Sequence, residues 1–274
     1  MSDALDQYGL IGHPVSHSWS PFIHGMFASQ THQRMSYRLY DVPADRFESH
    51  VHDFAAQGGR GLNVTVPHKM AAARVARELS PRAELARAVN TLSFTGQRIL
   101  GDNTDGAGLV RDLRDNLGVT LKERRLLIAG AGGAVRGIIG PLHELEPAEI
   151  VIAGRAAERA RALAAEFERL GRIVGCGLED LAPAGFDLVI NATSASLTGE
   201  VPAIAPETAR SAMLCYDMAY SKTETAFLRW AREQGCPRAV QGWGMLVEQA
   251  AEAFQIWRGI RPDTRPVLDL LPTA

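Results

Sequence analysis

Cysteine and net charge are both scarce in this sequence, and each scarcity excludes a class of protein. Its 274 residues include three cysteines, Cys176, Cys215 and Cys236, which lie far apart and form no CxxC pair. A disulfide framework or a structural zinc site is therefore not expected. Lys and Arg total 29 against 31 for Asp and Glu. Without an excess of positive charge, nucleic acid is not an expected partner.

Long apolar runs and metal-ligand clusters are also missing. No apolar run approaches the ~18 residues that suggest a membrane span, and the N-terminus resembles no signal peptide. We therefore expect a soluble, cytoplasmic protein without a membrane partner. Of the eight histidines, His50 and His52 are the closest pair, but on a helix they would point to different faces. No third ligand follows at usable spacing, so we predict no metal.

The apolar pattern predicts two α/β domains. The length is roughly twice the ~150 residues expected of one domain, and short apolar runs alternate with helix-like stretches in the N-terminal third. A polar, glycine-punctuated stretch at 101–108 marks the predicted change of domain. The wholly apolar run 126–129 then predicts a strand buried on both faces, and helices are predicted at about 133–145 and 245–258. The second half reads as a doubly wound parallel sheet.

A glycine-rich turn follows the 126–129 strand and precedes a predicted helix, where such a motif indicates a dinucleotide site. Gly130 would permit the tight turn, and Gly132 would let the backbone approach a pyrophosphate at the helix N-terminus. An ordinary glycine-rich turn is the alternative reading. The residues expected at the cofactor here are Gly130, Ala131, Gly132, Gly133 and Ala134.

The end of the next strand indicates which dinucleotide is bound. No Asp or Glu stands at Gly154 to receive a ribose 2′-hydroxyl; Arg155 and Arg159 are there instead. Two guanidinium groups suit a 2′-phosphate, so we expect NADP rather than NAD. For Arg159 alone, an ordinary surface arginine at a helix start is an equally good explanation.

Four polar segments lie within the first 106 residues. Each has a local explanation when taken singly; Ser20, for example, would cap a helix that begins at Pro21. Their order along the chain resembles that of the shikimate dehydrogenase family. The resemblance spans residues from about 8 to 271. It rests on these four segments, 16–21 (SHSWSP), 63–69 (NVTVPHK), 88–91 (AVNT) and 101–106 (GDNTDG), and on four that follow them, 130–137 (GAGGAVRG), 191–193 (NAT), 216–220 (YDMAY) and 242–249 (GWGMLVEQ).

The resemblance implies an N-terminal α/β substrate domain, residues 1–105 with 242–274, and a Rossmann-type NADP-binding domain, residues 106–241. The C-terminal helix would return to the substrate domain. It also implies an oxidoreductase that interconverts shikimate and 3-dehydroshikimate with NADP, in chorismate and aromatic amino acid biosynthesis. The expected partners are small molecules. A homodimer is compatible with the sequence, which does not give the oligomeric state.

Residue roles also follow from the resemblance, motif by motif. Lys69 and Asp105 would flank the hydroxyl that is oxidised; we expect Lys69 to be the acid/base group and Asp105 to orient it. The substrate carboxylate would be bound by Ser18, Ser20 and Tyr220, and the ring hydroxyls by Asn63, Thr65, Asn90 and Gln249. Met218 and Gly242 would lie against the nicotinamide, and Asn191, Ala192 and Thr193 would line the dinucleotide. His68 is interpreted as a neighbour of Lys69, not as a catalyst.

One departure bears on cofactor choice. The family usually has Asn-Arg-Thr where this chain has Gly154-Arg155-Ala156, which removes two side-chain partners of a 2′-phosphate and would weaken NADP binding or let NAD bind better. The alternatives are a quinate/shikimate or aminoshikimate dehydrogenase with relaxed cofactor use, a folate-linked dehydrogenase of similar plan, and a nonenzymatic NADP- or metabolite-binding module. Retention of both Lys69 and Asp105 disfavours the last, since a binding module needs no proton-transfer pair.

Overall fold

The computed structural model describes residues 5–96, 98–183, 185–193 and 195–270, and within them the strands form two sheets of six strands each. The chain divides into two compact units. Unit 1 comprises the residues up to Gly108 together with Leu246–Leu270, and unit 2 comprises Leu109–Met245. Residues 271–274, part of the predicted substrate domain, lie outside the described residues.

Unit 1 contains a mixed sheet with strand order β2-β1-β3-β5-β6-β4. Strand β1 runs parallel to both β2 and β3, whereas β5 is antiparallel to β3 and β6. The strands are β1 (Asp6–Gly12), β2 (Met35–Asp41), β3 (Gly61–Val64), β4 (Glu78–Leu79), β5 (Thr91–Thr95) and β6 (Arg98–Asp102). The helices up to the first boundary are α1 (Ser20–Gln30), α2 (Phe47–Ala56), α3 (Lys69–Val75), α4 (Pro81–Ala86) and α5 (Asp105–Arg111), and the boundary falls within α5.

Unit 2 contains a fully parallel sheet with strand order β12-β11-β10-β7-β8-β9. This is the doubly wound order, whose direction reverses between β7 and β10. The strands are β7 (Arg125–Ala129), β8 (Glu149–Gly154), β9 (Ile173–Gly177), β10 (Leu188–Asn191), β11 (Leu214–Asp217) and β12 (Ala239–Gln241). The helices of unit 2 are α6 (Gly133–His143), α7 (Ala157–Glu166), α8 (Pro206–Ser211) and α9 (Ala226–Glu233). Helix α10 (Trp243–Arg258) begins in unit 2 and continues in unit 1 from Leu246, and α11 (Arg265–Leu268) belongs to unit 1.

Both faces of the unit 2 sheet are buried, as its sequence predicts. In β7, Leu126 and Ile128 belong to one apolar cluster and Leu127 to the cluster on the other face. This alternation explains why the strand is apolar throughout, since helices cover both faces of a parallel sheet. The predicted α/β fold with a doubly wound sheet is confirmed.

The sequence marks 101–108 as the change of domain, and the first boundary between the two compact units follows Gly108. Gly101 lies in β6, and a Cβ there would come within 2.9 Å of Ala76, Val89 and Leu79. Gly101 therefore serves close packing in a strand rather than a turn. Helix α5 begins at Asp105, and the two unit boundaries fall within α5 and α10.

Two properties of the described residues bear on function. No helix among them is long and apolar enough to cross a membrane. Within the same ranges, no cluster of three or more His, Cys, Asp or Glu side chains has the arrangement of a metal site.

Candidate active site

Lys69 and Asp105 form a largely buried ion pair in unit 1. Lys69, the first residue of α3, donates from Nζ to Asp105 Oδ2 at 2.5 Å. The side chains are only 11% and 6% exposed. The other carboxylate oxygen, Asp105 Oδ1, accepts from Asn90 Nδ2 at 2.9 Å. Asp105 is thus held on both sides, and it fixes the position of the Lys69 ammonium group.

Asn90 connects this pair to α10. Its Nδ2 lies 2.9 Å from Thr104 Oγ1 and 3.2 Å from Gln249 Oε1, and its Oδ1 accepts the Thr104 N–H at 2.8 Å. Thr104 is fully buried and also lies 3.3 Å from Gln249 Oε1. The structure therefore brings together four of the predicted residues, Lys69, Asp105, Asn90 and Gln249. Thr104 was given no role, although it stands inside a motif that the sequence singles out.

Asn63, in β3, is oriented by a tyrosine that the sequence did not indicate. Tyr37 donates its hydroxyl to Asn63 Oδ1 at 2.8 Å, while Asn63 Nδ2 donates to Asn90 O and to Thr91 Oγ1. Thr65, half-buried, follows the end of β3. These bonds tie Asn63 to the Asn90 group in the core of unit 1.

Ser18 and Ser20 form a hydroxyl pair at the start of α1. Ser18 Oγ donates to Ser20 Oγ at 3.1 Å and accepts the Ser20 N–H at 3.2 Å. The local explanation for Ser20, that it caps the helix, is wrong, because Ser20 is already the first helical residue and no side-chain cap is formed at Trp19. The Ser20 hydroxyl therefore is not used by the helix end.

Two buried histidines lie near these residues. His68 is 1% exposed, bonds Val42 O through Nε2 at 2.7 Å and stacks on Phe47. The His68 side chain packs into the core of unit 1, which agrees with its interpretation as a neighbour of Lys69 rather than a catalyst. His24, missed by the sequence analysis, stacks on Tyr37 with ring centroids 4.3 Å apart, and neither ring nitrogen has a hydrogen-bond partner within the described residues. Burial lowers the pKa of His24 to about 3, although the Asn63 side chain opposes this shift.

A chain of ion pairs links β6 to α10. Arg82 donates to both carboxylate oxygens of Asp102 and, through Nη1, to Glu252 on α10 at 3.0 Å. Burial raises the pKa of Asp102, but the bonds from Arg82 and Ser80 outweigh it and hold that pKa below its usual value. Because Asp102 precedes the Asn103–Asp105 segment and Glu252 lies one turn from Gln249, Arg82 supports both sides of the site.

In unit 2, the glycine-rich turn lies where the strand order reverses, between β7 and β10. Gly130 has φ +123°, and a Cβ there would approach Ala192 O to 2.9 Å, so the position requires glycine. A Cβ on Gly132 would meet no atom within 4 Å. Space therefore lies in front of the first turn of α6, as a phosphate group at this helix N-terminus requires.

The two arginines expected at a 2′-phosphate are both exposed. Arg155 follows β8 and Arg159 lies in the first turn of α7, and neither forms an ion pair within the described ranges. The nearby Arg161, by contrast, pairs with Asp180. Gly154 is next to Ala131 of the glycine-rich turn, since a Cβ on Gly154 would lie 3.8 Å from Ala131 Cβ.

The remaining predicted cofactor residues meet at the ends of β10 and β11. The Met218 N–H donates to Asn191 O at 2.9 Å, and Asn191 Oδ1 accepts from both the N–H and the hydroxyl of Thr193. A Cβ on Gly242 would come 2.5 Å from Met218 O, so the backbone segments at Gly242 and Met218 are in contact. Tyr220, half-buried, packs edge-on against Trp243. Its assignment to the substrate carboxylate stays a prediction.

Comparison with known proteins identifies the family of this chain. Family profiles match residues 10–92 (shikimate dehydrogenase substrate binding domain), 112–220 (shikimate / quinate 5-dehydrogenase) and 242–271 (shikimate 5′-dehydrogenase C-terminal domain). Shikimate dehydrogenase (NADP⁺) of Methylococcus capsulatus is 52% identical over 97% of this chain and 96% of its own.

Solved structures show the same fold over nearly the whole chain. An Ael1 enzyme from Pseudomonas putida superposes with a TM-score of 0.90 at 47% identity, covering 98% of this chain and 99% of its own. Shikimate 5-dehydrogenase of Thermus thermophilus, in complex with NADP(H) and shikimate, gives a TM-score of 0.84 at 32% identity, covering 97% and 98%. On these matches, the chain belongs to the shikimate dehydrogenase family.

Proposed function

We propose that this protein catalyses the reversible, NADP-dependent oxidation of shikimate to 3-dehydroshikimate, a step in chorismate and aromatic amino acid biosynthesis. The observation that carries the proposal is the Lys69–Asp105 pair, held by Asn90 beside Gln249. A dehydrogenase must move a proton as well as a hydride, and this pair is suited to that task.

All the residues assigned to the substrate except Tyr220 belong to unit 1. Ser18 and Ser20 bind the substrate carboxylate through their hydroxyl groups, together with Tyr220. Asn63, Thr65, Asn90 and Gln249 bind the ring hydroxyls. Several of these amides and hydroxyls already bond one another in the core, so their directions are set before a ligand arrives. A substrate that lacks a hydroxyl would leave such groups without partners, which gives the site its selectivity.

NADP is assigned to unit 2 and supplies the acceptor or donor of the hydride. The turn at Gly130–Ala134 and the segment Asn191–Thr193 hold the dinucleotide, with Met218 and Gly242 at its nicotinamide end. Gly154 gives room beside the turn, and Arg155 and Arg159 bind the 2′-phosphate. The fit rests on the space before α6 and on two exposed guanidinium groups that pair with no acidic side chain of the described residues.

Lys69 performs the proton transfer. In the oxidative direction its amine accepts the proton of the hydroxyl that is oxidised, and in the reductive direction its ammonium group returns a proton to the carbonyl oxygen. Asp105 keeps the Nζ atom in place through the 2.5 Å bond and does not itself exchange the proton.

The first test measures reduced nicotinamide by absorbance with shikimate or quinate, each paired with NADP or NAD. We expect the highest kcat/KM for shikimate with NADP. Equal use of NAD or quinate would favour the relaxed quinate/shikimate alternative, for which the missing side chains at Gly154 and Ala156 are the specific reason. No turnover in any mixture would favour the binding-module alternative.

A variant tests the role of Lys69. Lys69→Ala is expected to lose turnover while shikimate still binds, as measured by calorimetry. Near-normal turnover with merely weakened binding would contradict the assignment. A homodimer and a cytoplasmic location stay predictions, which light scattering on the purified protein and fractionation of the source cells would test.

A further inference from the structure

Asp217, the last residue of β11, carries a fully buried carboxyl group in unit 2. It is 0% exposed, and no basic side chain of the described residues lies within ion-pair distance. A carboxylate removed from water without a cation costs free energy unless hydrogen bonds compensate. Burial raises the pKa of Asp217 above its usual value, although its hydrogen bonds oppose the rise.

Four donors surround the carboxyl group and use both oxygens. Oδ2 accepts from Ser196 Oγ and Thr225 Oγ1, each at 2.6 Å. Oδ1 accepts from the Ala219 N–H at 3.1 Å and from Asn191 Nδ2 at 3.2 Å. Every neighbour donates, which suits a carboxylate because it can only accept.

The two hydroxyl groups are themselves directed by a second bond. Ser196 Oγ accepts from Asn191 Nδ2 at 2.9 Å, and Thr225 Oγ1 accepts the Leu228 N–H at the start of α9 at 3.3 Å. Their hydrogens are therefore left to point at Asp217. The cluster is completely bonded, and such a network fixes its members more firmly than separate bonds would.

The cluster holds two segments of the chain in place, and the proposed function assigns both of them to the dinucleotide. Through Nδ2, Asp217 and Ser196 orient the Asn191 amide, so that Asn191 Oδ1 faces Thr193. Through the Ala219 N–H, the same carboxylate holds the chain just after Met218, whose own N–H bonds Asn191 O. The ends of β10 and β11 are thereby joined through one carboxylate.

We propose that Asp217 is a positioning residue for NADP: it fixes Asn191–Thr193 and Met218 in the conformation that binds the nicotinamide half of the cofactor. Asp217 does not touch the reacting atoms and acts through these neighbours. The inference rests on the proposed function.

The test is Asp217→Asn in the full-length enzyme, which keeps the shape but replaces an acceptor by an NH₂ group among donors. We expect the Kd for NADP to rise about 10- to 100-fold, as for the loss of hydrogen bonds to a charged group. The Kd for shikimate, measured by calorimetry without cofactor, should change much less, because all its assigned ligands except Tyr220 belong to unit 1. Asp115→Asn, an exposed carboxyl group elsewhere in unit 2, is the matched control and should change neither constant.

A kinetic isotope effect separates positioning from a merely structural role. With shikimate deuterated at the carbon that is oxidised, misplacement of the acceptor slows hydride transfer, so the isotope effect on kcat should increase in Asp217→Asn. A variant that only folds less well would contain fewer active molecules but show the wild-type Kd for NADP and the wild-type isotope effect, and this result would overturn the inference.

A second variant covers the case in which Asp217→Asn does not fold. Ser196→Ala keeps the carboxylate but removes one donor and one contact of Asn191; we expect a smaller increase in the Kd for NADP in the same direction. An unchanged Kd there would also overturn the inference. If the wild-type protein binds no NADP, the proposed function fails; if it binds NADP and both variants bind it equally well, the inference about Asp217 fails alone.

Discussion

The carboxylate of Asp105 lies between the Lys69 ammonium group at 2.5 Å and the Asn90 amide at 2.9 Å, with both members of the ion pair largely withdrawn from solvent. The two side chains depend on each other. Lys69 without Asp105 loses its orientation, and Asp105 without Lys69 is a buried negative charge without a cation.

A double-mutant cycle tests this coupling. Asp105→Asn and Lys69→Gln are each expected to lower kcat by about 10²- to 10⁴-fold, the usual contribution of acid/base catalysis. Because the residues act as a unit, the double variant should lose little more than the worse single variant. Steady-state and single-turnover kinetics measure this. If the two losses multiply, the residues act independently and the assigned roles are wrong.

The exposed arginines predict a selective loss of NADP binding. Arg155→Ala and Arg159→Ala should each raise KM for NADP about tenfold, the loss of roughly one charge-assisted contact with the 2′-phosphate. The KM for NAD should not change, since NAD lacks that phosphate. Arg169→Ala, which removes an exposed arginine beyond the other end of α7, is the control. An equal effect on both cofactors would assign these arginines to some other contact.

The residues that the family usually has at positions 154 and 156 can be restored by substitution. A Cβ on Gly154 would find only ordinary contacts at 3.7 Å or more, so Gly154→Asn together with Ala156→Thr should fold normally. These side chains add hydrogen-bond partners for a 2′-phosphate, and we expect the ratio of kcat/KM for NADP over NAD to increase about tenfold. The ratio is measured with shikimate saturating. If it stays constant, the loop sequence does not set cofactor preference in this protein.

The parts of this structure that depend on local pattern could be predicted from sequence. The apolar strand 126–129 and the glycine-rich turn after it are signals that neighbouring residues carry themselves. The glycines of 101–108 mark the change of domain in the sequence, whereas the close contacts of Gly101 with Ala76, Val89 and Leu79 become visible only in the folded chain.

Contacts between distant residues could not be predicted from pattern. Asn90 and Gln249 are separated by 159 positions, and their grouping followed from the family resemblance rather than from spacing. Residues that support the site without forming a motif were missed for the same reason. Tyr37 and Arg82 act through partners far along the chain, and nothing next to them in sequence indicates those partners. Asp217 lies inside the 216–220 segment but was given no role, because its contact with Asn191 becomes visible only in the folded chain.

Buried His24 predicts that unit 1 loses stability in acid. Its ring is withdrawn from water and stacked on Tyr37, so the folded protein holds the neutral form down to a pKa of about 3, against 6.5 for the unfolded chain. Below pH 6.5 the unfolded chain binds a proton that the folded chain does not. The free energy of unfolding therefore falls as the pH drops from about 6.5 towards 3, by up to about 1.4 kcal/mol per pH unit from this group.

His24→Phe isolates this contribution, because phenylalanine keeps a flat ring against Tyr37 and does not titrate. Urea unfolding at a series of pH values should give a free energy that depends less steeply on pH for the variant than for the wild type between pH 4 and 6, by about 1 kcal/mol per pH unit. Above pH 7 the two curves should run parallel, since His24 is neutral in both the folded and the unfolded wild-type chain. Parallel curves over the whole range from pH 4 to 8 would mean that His24 is accessible to protons in the folded protein, and the buried stacking arrangement would then be wrong.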